Sequence, residues 1–150
     1  MDSLDVIESI LELPHAQQKV WDAITTPEGL NQWFGNRVTM DLVEGSPIHF
    51  EWNEYGTASG RIEVVDPIST FAYRWRAHGI SDETEMTLEN STLVTFELVT
   101  INETATRLRV LETGFAKLPP KLREVSHREN THGWEVELGE LVAFLDGTTK

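Results

Sequence analysis

The stretch Gly133-Trp134-Glu135-Val136-Glu137-Leu138-Gly139-Glu140-Leu141-Val142-Ala143-Phe144-Leu145 decides how the rest of the chain is read. Trp134, Leu138, Leu141, Val142 and Leu145 recur at i, i+4, i+7, i+8 and i+11, which is one apolar stripe of a helix. Glu135, Glu137 and Glu140 lie off the stripe and are expected to face water. Followed back toward the helix start, the stripe passes through Thr131, Asn130 and His127, so it is greasy at one end and polar at the other. A polar end on a stripe that is otherwise buried points to a cavity or mouth. Asn130 and His127 would stand there, either meeting a ligand or forming a solvated helix start.

Upstream, the period is mostly two. Val6, Ile7, Ile10, Leu11 and Leu13 form an opening strand that Pro14 stops. Val20, Trp21 and Ile24 then recur at helical spacing. Thr26-Pro27-Glu28 supplies a hydroxyl N-cap, a proline at the first helical position and a carboxylate at the positive end of the dipole. That second short helix carries Leu30, Trp33 and Phe34 and ends at Gly35. From Asn36 onward, Val38, Met40 and Leu42 alternate with polar residues. Ile48, Phe50 and Trp52 do the same, then Ile62 and Val64, then Phe71, Tyr73 and Trp75. Gly79 to Asn90 has no clean period and reads as a loop. Val94, Phe96 and Leu98 resume the alternation, a turn falls at Asn102-Glu103, and Leu108, Val110 and Glu112 follow on one face. This is an antiparallel meander with one buried face. The count is a strand, two short helices, six more strands and a long helix.

Bulk properties narrow the function. The 150 residues fit one domain, taken as 1–150, and 39% of them are hydrophobic. Twenty-five acidic residues against twelve basic ones give a net charge of −13. Such a charge repels phosphate backbones and anionic bilayers, so neither nucleic acid nor membrane is an expected partner. There is no cysteine, hence no disulfide, thiolate catalysis or cysteine zinc site. The first residues show no basic, apolar leader, and no run approaches the roughly 20 apolar residues of a membrane span. A cytoplasmic location is expected. His127 and His132 are five apart and do not share a helical face as a metal pair would. No phosphate-binding glycine loop, dinucleotide fingerprint or nucleophile elbow is present, and no cofactor is expected.

Val20-Trp21-Asp22-Ala23-Ile24-Thr25-Thr26-Pro27-Glu28-Gly29-Leu30-Asn31-Gln32-Trp33-Phe34 resembles the opening signature of proteins similar to the activator of the heat-shock-protein-90 ATPase. Gly60 to Pro67, Tyr73-Arg74-Trp75, Leu108 to Phe115 and Gly133-Trp134 resemble further parts of the same family, in order, from about residue 14 to 146. The resemblance implies the helix-grip fold of the START-like (SRPBCC) superfamily, an α+β fold in which a curved antiparallel sheet grips a long C-terminal helix around a cavity. It also implies several possible functions: binding of lipids or other apolar ligands, cyclase chemistry, or regulation of a chaperone. The eukaryotic co-chaperones carry a separate N-terminal domain that is not expected here, which turns the reading away from chaperone activation.

Two features carry the functional expectation. Glu112 stands where the alternation calls for an apolar side chain. It is either a strand-end carboxylate reaching water or an arginine, or a buried one with a raised pKa. Arg61, Arg74 and Arg76 fall on the outer face, so little compensation is expected, and replacement by glutamine should then be neutral or stabilising. The aromatics Trp33, Phe50, Trp52, Tyr73, Trp75, Phe96 and Trp134 fall on inward positions. Each ring buries roughly 150–250 Å², and together they form either a lined pocket or plain core. The leading expectation is an apolar or lipid-like small molecule bound between sheet and helix by a monomer or homodimer. A chaperone-associated or stress-response interaction module, and a cofactor-free cyclase or hydrolase using Glu112, are the alternatives.

Overall fold

Alternating apolar side chains make a sheet whose one greasy face must be covered, and the long helix covers it. The structure, a computed structural model, describes residues 5–53 and 56–147; of residues 1–5, on which the expectation of no leader rests, 1–4 lie outside them. The order is β1 (Val6–Leu13), α1 (Gln17–Thr25), α2 (Pro27–Trp33), β2 (Arg37–Met40), β3 (Pro47–Trp52), β4 (Gly56–Asp66), β5 (Thr70–Arg76), β6 (Ser91–Asn102), β7 (Ala105–Thr113) and α3 (Pro120–Leu145). A single 3₁₀ turn, Phe115–Lys117, joins β7 to α3. All seven strands form one antiparallel sheet in the order β1-β7-β6-β5-β4-β3-β2. Strands β2 to β7 follow as a meander, and β1 closes the far edge against β7. This is the helix-grip arrangement.

Local chemistry explains the joints. Thr26 caps α2 by accepting from the Gly29 amide at 2.9 Å, with Pro27 at the first helical position and Glu28 in the first turn. The crossover from β1 to the opposite edge is made by α1 and α2, and α2 touches both β2 and α3. Gly114 ends β7 at φ 100°, a left-handed conformation that glycine adopts without strain. Gly60 serves a different need. Its β4 backbone lies so close to β5 that an added Cβ would stand 1.8 Å from the Arg74 carbonyl oxygen.

On α3, Trp134, Leu138, Leu141 and Leu145 are buried and Val142 is half-buried. Two expectations fail in detail. Ile62 and Val64 do not share a buried face, because a register shift between them flips the strand: Ile62 is fully buried and Val64 is 37% exposed. Leu42 lies beyond the end of β2 and is exposed. Among the described residues no helix is long and apolar enough to cross a membrane.

Candidate functional site

The alternation that buries Leu108 and Val110 carries Glu112 into the interior, where its exposure is 0%. In the sheet Glu112 pairs with Val94 of β6 and Ile7 of β1. The neighbouring strands bring donors to it. Thr92 Oγ1 of β6 donates to Oε2 at 2.6 Å, and Trp75 Nε1 of β5 donates to the same oxygen at 3.0 Å. One turn of α3 supplies the rest: Asn130 Nδ2 donates to Oε2 at 2.9 Å and Trp134 Nε1 to Oε1 at 2.8 Å. Asn130, from the polar segment of the stripe, thus ends on a carboxylate of the inner sheet face.

Burial pushes the Glu112 pKa up, and the four hydrogen bonds pull against that rise without cancelling it. No arginine contributes. Arg61 is paired with Glu63 at 2.8 Å, Arg74 donates to the Ser91 hydroxyl at 3.3 Å, and Arg76 donates to the Ser59 hydroxyl and the Thr84 carbonyl, both at 2.9 Å. The compensation for the buried carboxyl therefore comes from neutral donors, which the alternation in the sequence could not reveal.

Beside this cluster a cavity of about 570 Å³ opens between α3 and the β3–β5 part of the sheet. Trp52, Trp75 and Ser59 line it from the sheet, Phe34 from the end of α2, and Ala77 to Ile80 from the loop after β5. The helix contributes Asn130, Gly133, Trp134 and Glu137, with Arg128 and His132 at the rim. The rings form a continuous wall. Phe34 stacks on Trp134 at 5.3 Å between centroids and on Trp75 at 6.0 Å, and meets Trp52 edge-on at 5.7 Å.

Of the residues singled out in the sequence, Trp52, Trp75, Asn130 and Trp134 line the cavity. Glu112 sits directly behind the last three, bonded to each. Trp33, Phe50, Tyr73 and Phe96 are buried in the packed core and do not line it. Trp33 is held there by donating to the Ala23 carbonyl at 2.8 Å. The buried Tyr73 hydroxyl has no hydrogen-bond partner, and burial, then the charges of Glu112 and Glu137, push its pKa well up. His127 turns away from the cavity, with Nε2 3.0 Å from the Val6 carbonyl and its ring edge-on to Phe115.

Sequence reasoning missed Phe34 and Glu137 as lining residues. Phe34 was legible only as an apolar residue at a helix end. Glu137 was expected in water, yet it is half-buried against the cavity, and its pKa rises to about 7. Loss of solvent is the main cause, the neighbouring Glu140 charge adds to it, and a hydrogen bond from the Trp52 side chain works the other way. Among the described residues no group of three or more histidine or acidic side chains could hold a metal ion.

The family model described as activator of Hsp90 ATPase homolog 1-like protein matches residues 14–146. No curated protein matches the chain. Many solved structures share the fold. MLL2253 from Mesorhizobium loti superposes with a TM-score of 0.77 at 23% identity, over 97% of this chain and 99% of its own. The Aha1 dimer from Colwellia psychrerythraea gives 0.74 at 20% identity, over 97% and 98%. DynU16, a protein of the dynemicin biosynthetic locus, gives 0.75 at 19% identity over 97% of this chain. The chain spans about half the length of DynU16, covering 48% of it.

Proposed function

Since the chain belongs to the family of proteins like activator of Hsp90 ATPase homologue 1, a family whose fold does not by itself dictate an activity, we propose a function from the chain's own geometry: it binds an apolar or lipid-like small molecule between its sheet and α3, as one START-like domain. The observation that carries this reading is the cavity of about 570 Å³ with its wall of four aromatic rings. That volume lies within the roughly 300–1,000 Å³ of small-molecule pockets, and a mostly apolar wall with a few placed polar groups is their usual composition.

Glu112 has a supporting part in this reading. It does not line the cavity, so it cannot reach a substrate there. It ties Trp75 of the sheet to Trp134 and Asn130 of the helix, holding three lining residues in register. That makes it a positioning residue and weighs against a catalytic acid. Family membership keeps a chaperone-associated module as the second reading.

Fluorescence titration tests the proposal. Trp52, Trp75 and Trp134 line the cavity, so an apolar dye, a fatty acid or a polycyclic aromatic should change the tryptophan emission saturably. Trp52→Ala should weaken that binding at least about tenfold while shifting the unfolding midpoint little, because Trp52 is only half-buried. A native protein that binds none of these probes would leave the interaction module as the better account.

A further inference from the structure

The part of α3 that closes the cavity carries three parallel rows of side chains. The innermost, Ser126-Asn130-Trp134-Leu138, points into the core, and the outermost, Arg128-His132-Val136, is exposed. Between them runs Glu129-Gly133-Glu137. Spacing by four residues puts these on one line along the helix, each about one turn from the next. The middle row therefore reads carboxylate, gap, carboxylate.

The gap is not a packing requirement. Glycine is a poor residue in a helix interior, because it loses the most backbone freedom on folding. Gly29 and Gly60 are forced to be small: an added Cβ would stand 2.6 Å and 1.8 Å from a backbone carbonyl oxygen. A Cβ on Gly133 would meet no heavy atom within 4 Å. Gly139 is equally free but exposed and outside the lining, whereas Gly133 opens into the cavity. The space left beside Gly133 belongs to nothing in the protein.

One turn along, Glu137 is a half-buried carboxylate in the same cavity with no counter-charge. Among the described residues no lysine, arginine or histidine pairs with it. The charge that acts on it is Glu140, of the same sign, and the group that helps it is the Trp52 side chain. The cations of the lining are engaged or stand at its exposed rim. Arg76 is held by Ser59 and Thr84, His78 faces Glu129 at 4.0 Å, and Arg128 and His132 stand on the exposed row. An unbalanced carboxylate beside tryptophan faces is a site for a cation, since both the charge and the ring quadrupoles attract one. The net charge of −13 draws cations to the protein as a whole.

We infer that the ligand of this cavity is an apolar, ring-bearing amine, whose hydrophobic body fills the gap at Gly133 against the tryptophan wall and whose ammonium group meets the Glu137 carboxylate. This inference rests on the binding function proposed above and names its ligand class. Bringing a cation to Glu137 relieves both its lost solvation and its repulsion by Glu140. Because Glu137 titrates near pH 7, amine affinity falls as pH drops through neutrality. The other titratable side chains of the lining, His78, Glu129 and His132, are common to parent and variant, so the Glu137 contribution is isolated by removing its charge.

Calorimetric titration with three probes sharing one ring system tests this: naphthylmethylamine, naphthylmethanol and naphthylacetic acid. At about pH 8 the amine should bind roughly tenfold tighter than the alcohol, and the acid weakest. Glu137→Gln should bring amine and alcohol to parity and should flatten the loss of amine affinity toward about pH 6. Gly133→Leu should abolish binding of all three without lowering the melting temperature. Equal binding of amine and alcohol, tighter binding of the acid, or an amine preference that survives in Glu137→Gln would overturn the inference and leave the binding function standing. Failure of all three probes, together with the dyes and lipids above, would remove both.

Discussion

Glu112 accepts four hydrogen bonds from neutral donors and meets no cation. Three of those donors are N–H groups that cannot accept, so whatever replaces the carboxylate must still offer acceptors. Glutamine cannot: whichever way its amide is turned, its NH₂ faces at least one N–H. The neutral or stabilising outcome expected from the sequence therefore reverses, and Glu112→Gln should cost about 1–3 kcal/mol by leaving a buried donor unmatched. Urea denaturation near pH 7 measures this. A variant as stable as the parent would mean that the cost of burying the charge outweighs its bonds.

Glu137 is the opposite case, a carboxylate with too few bonds. Its folded pKa, about 7, lies above its ordinary 4.5. The folded protein thus holds this proton more tightly than the unfolded chain. The stability it contributes is complete below about pH 4.5 and is lost as pH rises through about 7. Glu137→Gln should consequently match the parent at about pH 4 and gain roughly 1 kcal/mol at about pH 8, a figure already reduced for solvent screening of a half-exposed group. Denaturation curves at the two pH values decide it.

At the scale of elements, α3 does two jobs with two ends. Its C-terminal half packs Leu138, Leu141 and Leu145 into the core, and its middle presents Asn130, Gly133, Trp134 and Glu137 to the cavity. Trp134 belongs to both. It is 4% exposed, stacks on Phe34 and donates to Glu112. Trp134→Ala should cost about 3–5 kcal/mol through lost burial and the cavity it leaves. Chemical denaturation showing less than about 1 kcal/mol would place the ring in solvent. The capping of α2 makes a smaller prediction: Thr26→Ala removes the acceptor for the Gly29 amide and should cost about 1 kcal/mol by the same measurement.

Over the whole molecule, thirteen uncompensated negative charges are spread on a fold whose visible ion pairs are few and mostly exposed. Surface pairs of this kind contribute little, so self-repulsion dominates the long-range electrostatics. Raising the ionic strength to about 0.15 M shortens the screening length to about 8 Å, and should raise the melting temperature measured by calorimetry. A melting temperature that falls with salt would mean that the exposed arginine–glutamate pairs outweigh the repulsion.

What the sequence determined by itself was the order and kind of elements. Period-two runs, the Pro14 stop, the Thr26-Pro27-Glu28 helix start and the Trp134–Leu145 stripe are local signals, written in residues that touch each other or lie a turn apart. The inward direction of Glu112 was legible for the same reason, as the next step of an alternation. The tertiary structure alone decided who meets whom. The bulge that turned Val64 outward is a pairing event between strands, and the four donors to Glu112 come from three separate elements. The Glu137 environment is the clearest instance. Helical periodicity assigns it to the wet face, because periodicity describes one helix in isolation. Whether that face meets water or a cavity wall depends on Trp52, 85 positions earlier in the chain, which only the folding of the sheet around the helix brings to its side.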